Sequence, residues 1–98
     1  MPRGRLPRYG QYTGDGSNAA TVDLGFSPVF VRVANQDDAD DFYEIYKTGE
    51  TTSVAYKSIA GTRTKVTTNP PEITSRGFHS GTDADLIVNT EKYDWVAF

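Results

Sequence analysis

Nowhere in this chain do apolar residues recur with the spacing of a helical face, whereas a period of two is plain in Val29-Phe-Val-Arg-Val-Ala34. Val29, Val31 and Val33 fall on one side of such a strand, and Phe30, Arg32 and Ala34 on the other. The valine side is expected to face a core. Twelve threonines, six tyrosines and five phenylalanines against three leucines support the same reading, because branched and aromatic side chains suit a pleated, half-buried surface.

Further strands follow from the same pattern. Phe42 to Lys47 and Thr52 to Lys57 read as a hairpin, with Thr48-Gly49-Glu50 as its turn and Gly49 at a positive φ. Thr62 to Thr68 reads as a polar strand. Asn69-Pro-Pro-Glu72 must be a loop, since two successive residues lack the amide donor a sheet needs. The chain re-enters a strand near Ile73, turns between Gly77-Phe78 and Gly81-Thr-Asp83, and closes with paired strands over 84–89 and 91–98. Tyr9 to Thr13 and Ala20 to Leu24 form an opening hairpin across Gly14-Asp-Gly-Ser-Asn18, residues that tolerate a left-handed backbone. Gly25 and Pro28 break the second strand before Val29, so the start of the chain reads as a β-meander.

Seven to nine short strands at roughly ten-residue spacing predict an all-β fold: a single antiparallel β-sandwich, or a small barrel. Residues 9–98 form its body. Residues 1–8 form an extended basic arm, stiffened by Pro2 and Pro7. Because the aromatic strand Tyr93-Asp-Trp-Val-Ala-Phe98 runs to the last residue, the chain is expected to be one complete domain.

Ninety-eight residues leave no room for a second core. Counted with glycine and without tyrosine, the apolar share lies below the roughly 45 to 50 % of soluble domains, which favours burial of further surface by self-association or lattice membership. Cysteine is absent, which removes disulfides, thiolate metal sites and cysteine nucleophiles together. No segment reads as a secretory signal, and none approaches the roughly 18 apolar residues of a membrane helix. The net charge of −3 hides an asymmetry, since Arg3, Arg5 and Arg8 sit ahead of a body that carries all thirteen acidic residues. Three arginines give little affinity for a polyanion, so the arm is read as reaching across an acidic neighbouring subunit rather than onto nucleic acid.

Candidate chemistry is sparse. Asp37-Asp-Ala-Asp-Asp41 has carboxylates for calcium but lacks the glycine and terminal glutamate of an EF-hand loop, and it reads as a solvated loop. Asp83 and Asp85 read the same way, and Asp15 as a turn residue. His79 is the single histidine. A Ser-His-Asp relay would need it beside Ser58, Ser75 or Ser80, and no nucleophile-elbow pattern surrounds any of these. Tyr43, Tyr46, Tyr56 and Trp95 could stack on a sugar, although alternation places Trp95 with Tyr93 and Ala97 on one face and suggests core. Tyr43 and Tyr46 fall on opposite faces and remain possible glycan contacts. No catalytic residue, metal site or cofactor is expected.

Both ends of the chain resemble a family of modules in virion proteins of tailed bacteriophages. Gly10-x-Tyr-x-Gly-x-Gly16 followed by Thr21-Val-x-Leu-Gly-Phe-x-Pro28 and the valine-rich strand resembles their opening. Gly77-Phe78, Val88-Asn89 and Tyr93-x-Trp95-x-Ala-Phe98 resemble their close, with Thr90-Glu91-Lys92 standing where such modules often carry a glycine. The resemblance implies a non-enzymatic capsid decoration protein that is made in the host cytoplasm and sits on the outer capsid surface of the virion. It would bridge and stabilise major capsid protein subunits, associate with itself as a homotrimer, and touch neither nucleic acid nor membrane. The subunit contacts would come from Arg3, Arg5, Leu6 and Arg8. The alternative is a tail-fibre or receptor-binding tip that recognises a host glycan through Tyr43 and Tyr46.

Overall fold

The computed structural model describes residues 7–38 and 40–98. Four consecutive strands, β3 (Phe30–Asn35), β4 (Phe42–Lys47), β5 (Ser53–Ile59) and β6 (Thr62–Lys65), form the antiparallel meander that alternation predicts. In β3 the inward Val31 and Val33 are fully buried, while Val29 lies ahead of the strand and is exposed. The β4–β5 turn closes through Thr48, whose N–H donates to Thr52 O at 3.0 Å. Gly49 is not at positive φ there. That conformation is used instead at Ala60 and Gly61 (φ 52° and 87°), the two-residue loop whose twist suits the β5–β6 hairpin.

The opening hairpin does not form. β1 (Arg8–Thr13) pairs along its whole length with β9 (Lys92–Ala97), from Arg8↔Ala97 to Thr13↔Lys92, and β9 also pairs with β3. The sheet order is therefore β1-β9-β3-β4-β5-β6. Arg8, expected in the arm, is the first residue of a strand, and Arg3, Arg5 and Leu6 lie outside the described residues. The Gly14–Asn18 turn chemistry is present, with Asp15 Oδ1 accepting the Ser17 and Asn18 N–H groups at 2.8 and 2.7 Å. Its backbone, however, is tied elsewhere: Gly14 and Gly16 N–H donate to Glu91 O and Ile87 O. The chain thus crosses to a second sheet. Side-chain fit reinforces the β1–β9 choice, because a Cβ on Gly10 would lie 2.5 Å from the Trp95 ring, and Tyr12 stacks on Tyr93 at 4.9 Å.

The second sheet has the order β2-β8-β7, built from Thr21–Asp23, Gly77–His79 and Glu72–Ile73. Gly77-Phe78, expected at a turn, is a strand. Gly77 lies so close to Val22 O that no side chain fits between β8 and β2. The strand expected over 84–89 is also absent. Ala84–Leu86 is a 3-10 turn capped by Asp83, whose carboxylate accepts the Asp85 N–H at 2.9 Å. Side chains hold the main chain that a ladder would have used, since Leu86 O accepts from the Tyr12 hydroxyl and Val88 N–H donates to that of Tyr93.

The two sheets enclose one core of Leu24, Val31, Val33, Tyr43, Ile45, Ala55, Val66, Ile73, Phe78, Leu86, Tyr93 and Ala97, and the molecule is a small antiparallel β-sandwich. Trp95 packs at its margin, half-buried and edge-on to Phe78 at 5.4 Å. Burial of this set supplies the main driving force at about 25 cal/mol per Å² of apolar surface removed from water.

Candidate functional site

The wide sheet has two unlike faces. Its inner face is core. On its outer face, strand parity and register place Phe30 and Arg32 of β3, Phe42, Glu44 and Tyr46 of β4, Tyr56 of β5, and Arg63 and Lys65 of β6. A ribbon of rings crosses this surface. Phe98, just past β9, lies 6.1 Å from Phe30; Phe30 lies 5.1 Å from Tyr46; Tyr46 meets Tyr56 edge-on at 6.1 Å. The ribbon ends where the Arg63 guanidinium covers the Tyr56 ring at 4.2 Å and reaches Glu44 at 3.3 Å. Beside it, Arg32 covers Phe42 at 4.6 Å. Among the described residues neither Arg32 nor Lys65 has a carboxylate partner.

This arrangement suits contact with another protein. Tilted rings offer edges and partial faces to apolar side chains, and guanidiniums already stacked on rings lose little freedom when they meet a carboxylate. It suits a sugar poorly, because stacking needs an open ring face and the Tyr56 and Phe42 faces are each covered by an arginine.

The sequence-derived glycan pair separates. Tyr46 lies on the ribbon and is 36 % exposed, whereas Tyr43 is fully buried and cannot meet a ligand at the surface. The reason is parity: Tyr43 shares the inward face of β4 with Ile45. Its hydroxyl contacts that of Tyr12 at 2.8 Å, and Tyr12 donates to Leu86 O at 2.9 Å. Burial raises the hydroxyl pKa of Tyr12, Tyr43 and Tyr93 alike.

The other candidates have structural partners. Asp37, Asp38 and Asp41 accept main-chain N–H groups of Lys92, Asp40 and Ala60, and no group of three or more metal-ligating side chains occurs among the described residues. Lys57 bridges Asp83 at 2.7 Å and Asp85 at 2.9 Å. Burial lowers the pKa of this ammonium, but the two carboxylates outweigh it and hold the group above its ordinary value. His79 Nδ1 accepts the Gly81 N–H at 3.0 Å, so the proton sits on Nε2, which donates to Glu72 at 3.1 Å. These residues line a shallow cleft of about 450 Å³ with Ala19, Asn69, Pro70 and Thr82. Ser80 Oγ is fully buried, donating to Gly81 O and accepting the Ala20 N–H, so it is not aligned with the imidazole as a nucleophile.

Phe30, Phe42, Phe98, Arg32 and Arg63 form a surface that the sequence pattern does not announce as one. The signal for Phe30 and Arg32 was their position opposite the valines. The stacking of Arg63 depends on the β5–β6 register, which side-chain alternation does not specify. Comparison of the chain with protein-family models, with curated proteins and with solved structures finds no match in any of the three.

Proposed function

We propose that this chain is a non-catalytic assembly protein that docks on another protein through the outer face of its six-stranded sheet. The observation that carries the reading is the ring ribbon of Phe98, Phe30, Tyr46 and Tyr56 flanked by Arg32 and Arg63. Aromatic residues and arginine are the types that dominate binding energy at protein interfaces. The resemblance of both chain ends to tailed-phage virion modules supports the major capsid protein as the partner and a decoration subunit as the role. A subunit that binds only the assembled shell stabilises it by mass action. Arg32 and Lys65, without a carboxylate partner among the described residues, have the same sign as Arg3, Arg5 and Arg8, which supports a partner surface rich in carboxylates.

The test is occupancy on purified particles. Labelled protein should decorate the shell at on the order of hundreds of copies, whereas about three to eighteen would assign it to the tail instead. Arg32→Glu combined with Arg63→Glu should abolish decoration while the variant remains folded, and removal of residues 1–7, which leaves β1 whole, should weaken it. Undiminished decoration by the double variant would refute the role of this face.

A further inference from the structure

The two edges of the wide sheet are protected unequally. At one edge β6 is only four residues long, exposed throughout, and carries Arg63 and Lys65, the charges with which proteins commonly discourage strand pairing. At the other edge β1 is six residues long, contains no proline or bulge, and holds a single charge at its first position. Its backbone direction follows from the turn beyond it. Gly14 N–H donates to Glu91 O and Gly14 O accepts from Thr90 N–H, both at 2.9 Å, so by antiparallel alternation Tyr12, Gly10 and Arg8 also direct their main-chain groups at β9. Tyr9, Gln11 and Thr13 therefore direct theirs outward. Among the described residues no strand pairs with that side. Tyr9, 86 % exposed, stands above it.

We propose that β1 pairs antiparallel with β1 of a second copy about a two-fold axis at Gln11, joining two six-stranded sheets into one. In this register Tyr9 faces Thr13 of the second copy and Gln11 faces its own counterpart, so every outward main-chain group of the three residues exchanges bonds. The side chains are self-complementary too. Tyrosine against threonine is a favourable aromatic and β-branched pair, and although Gln11 Nε2 already donates to Asp94 Oδ1 at 2.9 Å, each amide keeps a second N–H and its oxygen for its counterpart. Arg8 falls opposite Gly14 of the second copy, next to Asp15, whose carboxylate is kept below its ordinary pKa by the Asn18 and Ser17 N–H groups. Like charges do not meet. Registers that bring the two Arg8 residues together are disfavoured, and the geometry is two-fold rather than the threefold association expected from sequence.

A strand of about 20 Å buries less than the roughly 800 Å² per partner of a standard interface, so the dimer is reversible and weak. Sedimentation of the wild-type chain should show dimer forming across about 10 to 500 µM. Amide exchange by NMR gives the decisive reading. At about 1 mM the N–H groups of Tyr9, Gln11 and Thr13 should exchange about tenfold more slowly than at 10 µM, while Gly10 and Tyr12, already bonded to β9, should not change. Gln11→Pro removes the central outward donor without removing a bond of the β1–β9 ladder, and should leave the chain folded and monomeric. A monomer at every concentration would overturn the proposal. So would a dimer with protection elsewhere, or protection of these three amides only when a different protein donates the strand.

Discussion

Tyr43 and Tyr46 sit three residues apart on the same strand and lead opposite lives. The Tyr43 ring is sealed between the sheets with its hydroxyl bonded to Tyr12, while Tyr46 leans on Phe30 and Tyr56 at the surface. The inner face is mainly apolar, and its tyrosine hydroxyls are bonded within the core. The outer face uses the same residue types but leaves its rings at the surface, where two of them, Phe42 and Tyr56, are covered by arginines. Aromatic content alone therefore does not separate core from binding surface; the partner of each ring does.

The largest test of this contrast is truncation. Tyr43→Ala should cost about 3 to 5 kcal/mol through lost burial and a residual cavity, and Tyr46→Ala under about 1 kcal/mol, both measured by chemical denaturation. Similar costs would erase the distinction between the faces. A smaller contrast separates the cations. Lys57→Met leaves Asp83 and Asp85 without their shared ammonium and should cost about 1 to 3 kcal/mol. Arg32→Ala removes only a stacked guanidinium, worth about 0.5 to 1 kcal/mol at an exposed site.

The mildest test is alkaline titration. Tyr12, Tyr43 and Tyr93 have raised folded pKa values, as does Lys57, so their contribution to stability is intact below the ordinary tyrosine and lysine values near 10.0 and 10.5. It is lost as pH climbs through the folded values. Tyrosinate absorbance from the inner three should therefore appear together with loss of the near-ultraviolet dichroism of the fold. Ionisation of all three in an intact fold would contradict their burial.

What could be read from the residues depended on how local the information was. Alternation located β3, the β4–β5 hairpin and the polar β6, because period two in one strand and a turn between neighbours are local facts. Asn69-Pro-Pro likewise announced a loop. The Gly14–Asn18 segment announced a reversal and delivered its turn bonds, yet the choice of strand partner lay with Gly10 and Tyr12 fitting Trp95 and Tyr93, more than eighty residues away in sequence. Residues 84–89 carried strand-like composition, but the Asp83 cap and two tyrosine hydroxyls claimed their main chain first. For the surface, parity separated Phe30 and Arg32 from the valines; only the register of four strands aligned them with Tyr46, Tyr56 and Arg63.

The position of β9 has a kinetic consequence. It lies between β1 and β3, so the strand translated after all its sheet neighbours is the one that must join them. A ribosome-bound chain that has emerged only as far as β8 holds the β3–β6 meander but has no seat for β1. Closure then waits on contacts between residues far apart in sequence, which places folding in the slow, millisecond-to-second range of β topologies. It also leaves β1 unpaired and one edge of β3 open to chaperones or to a neighbouring nascent chain until β9 is inserted.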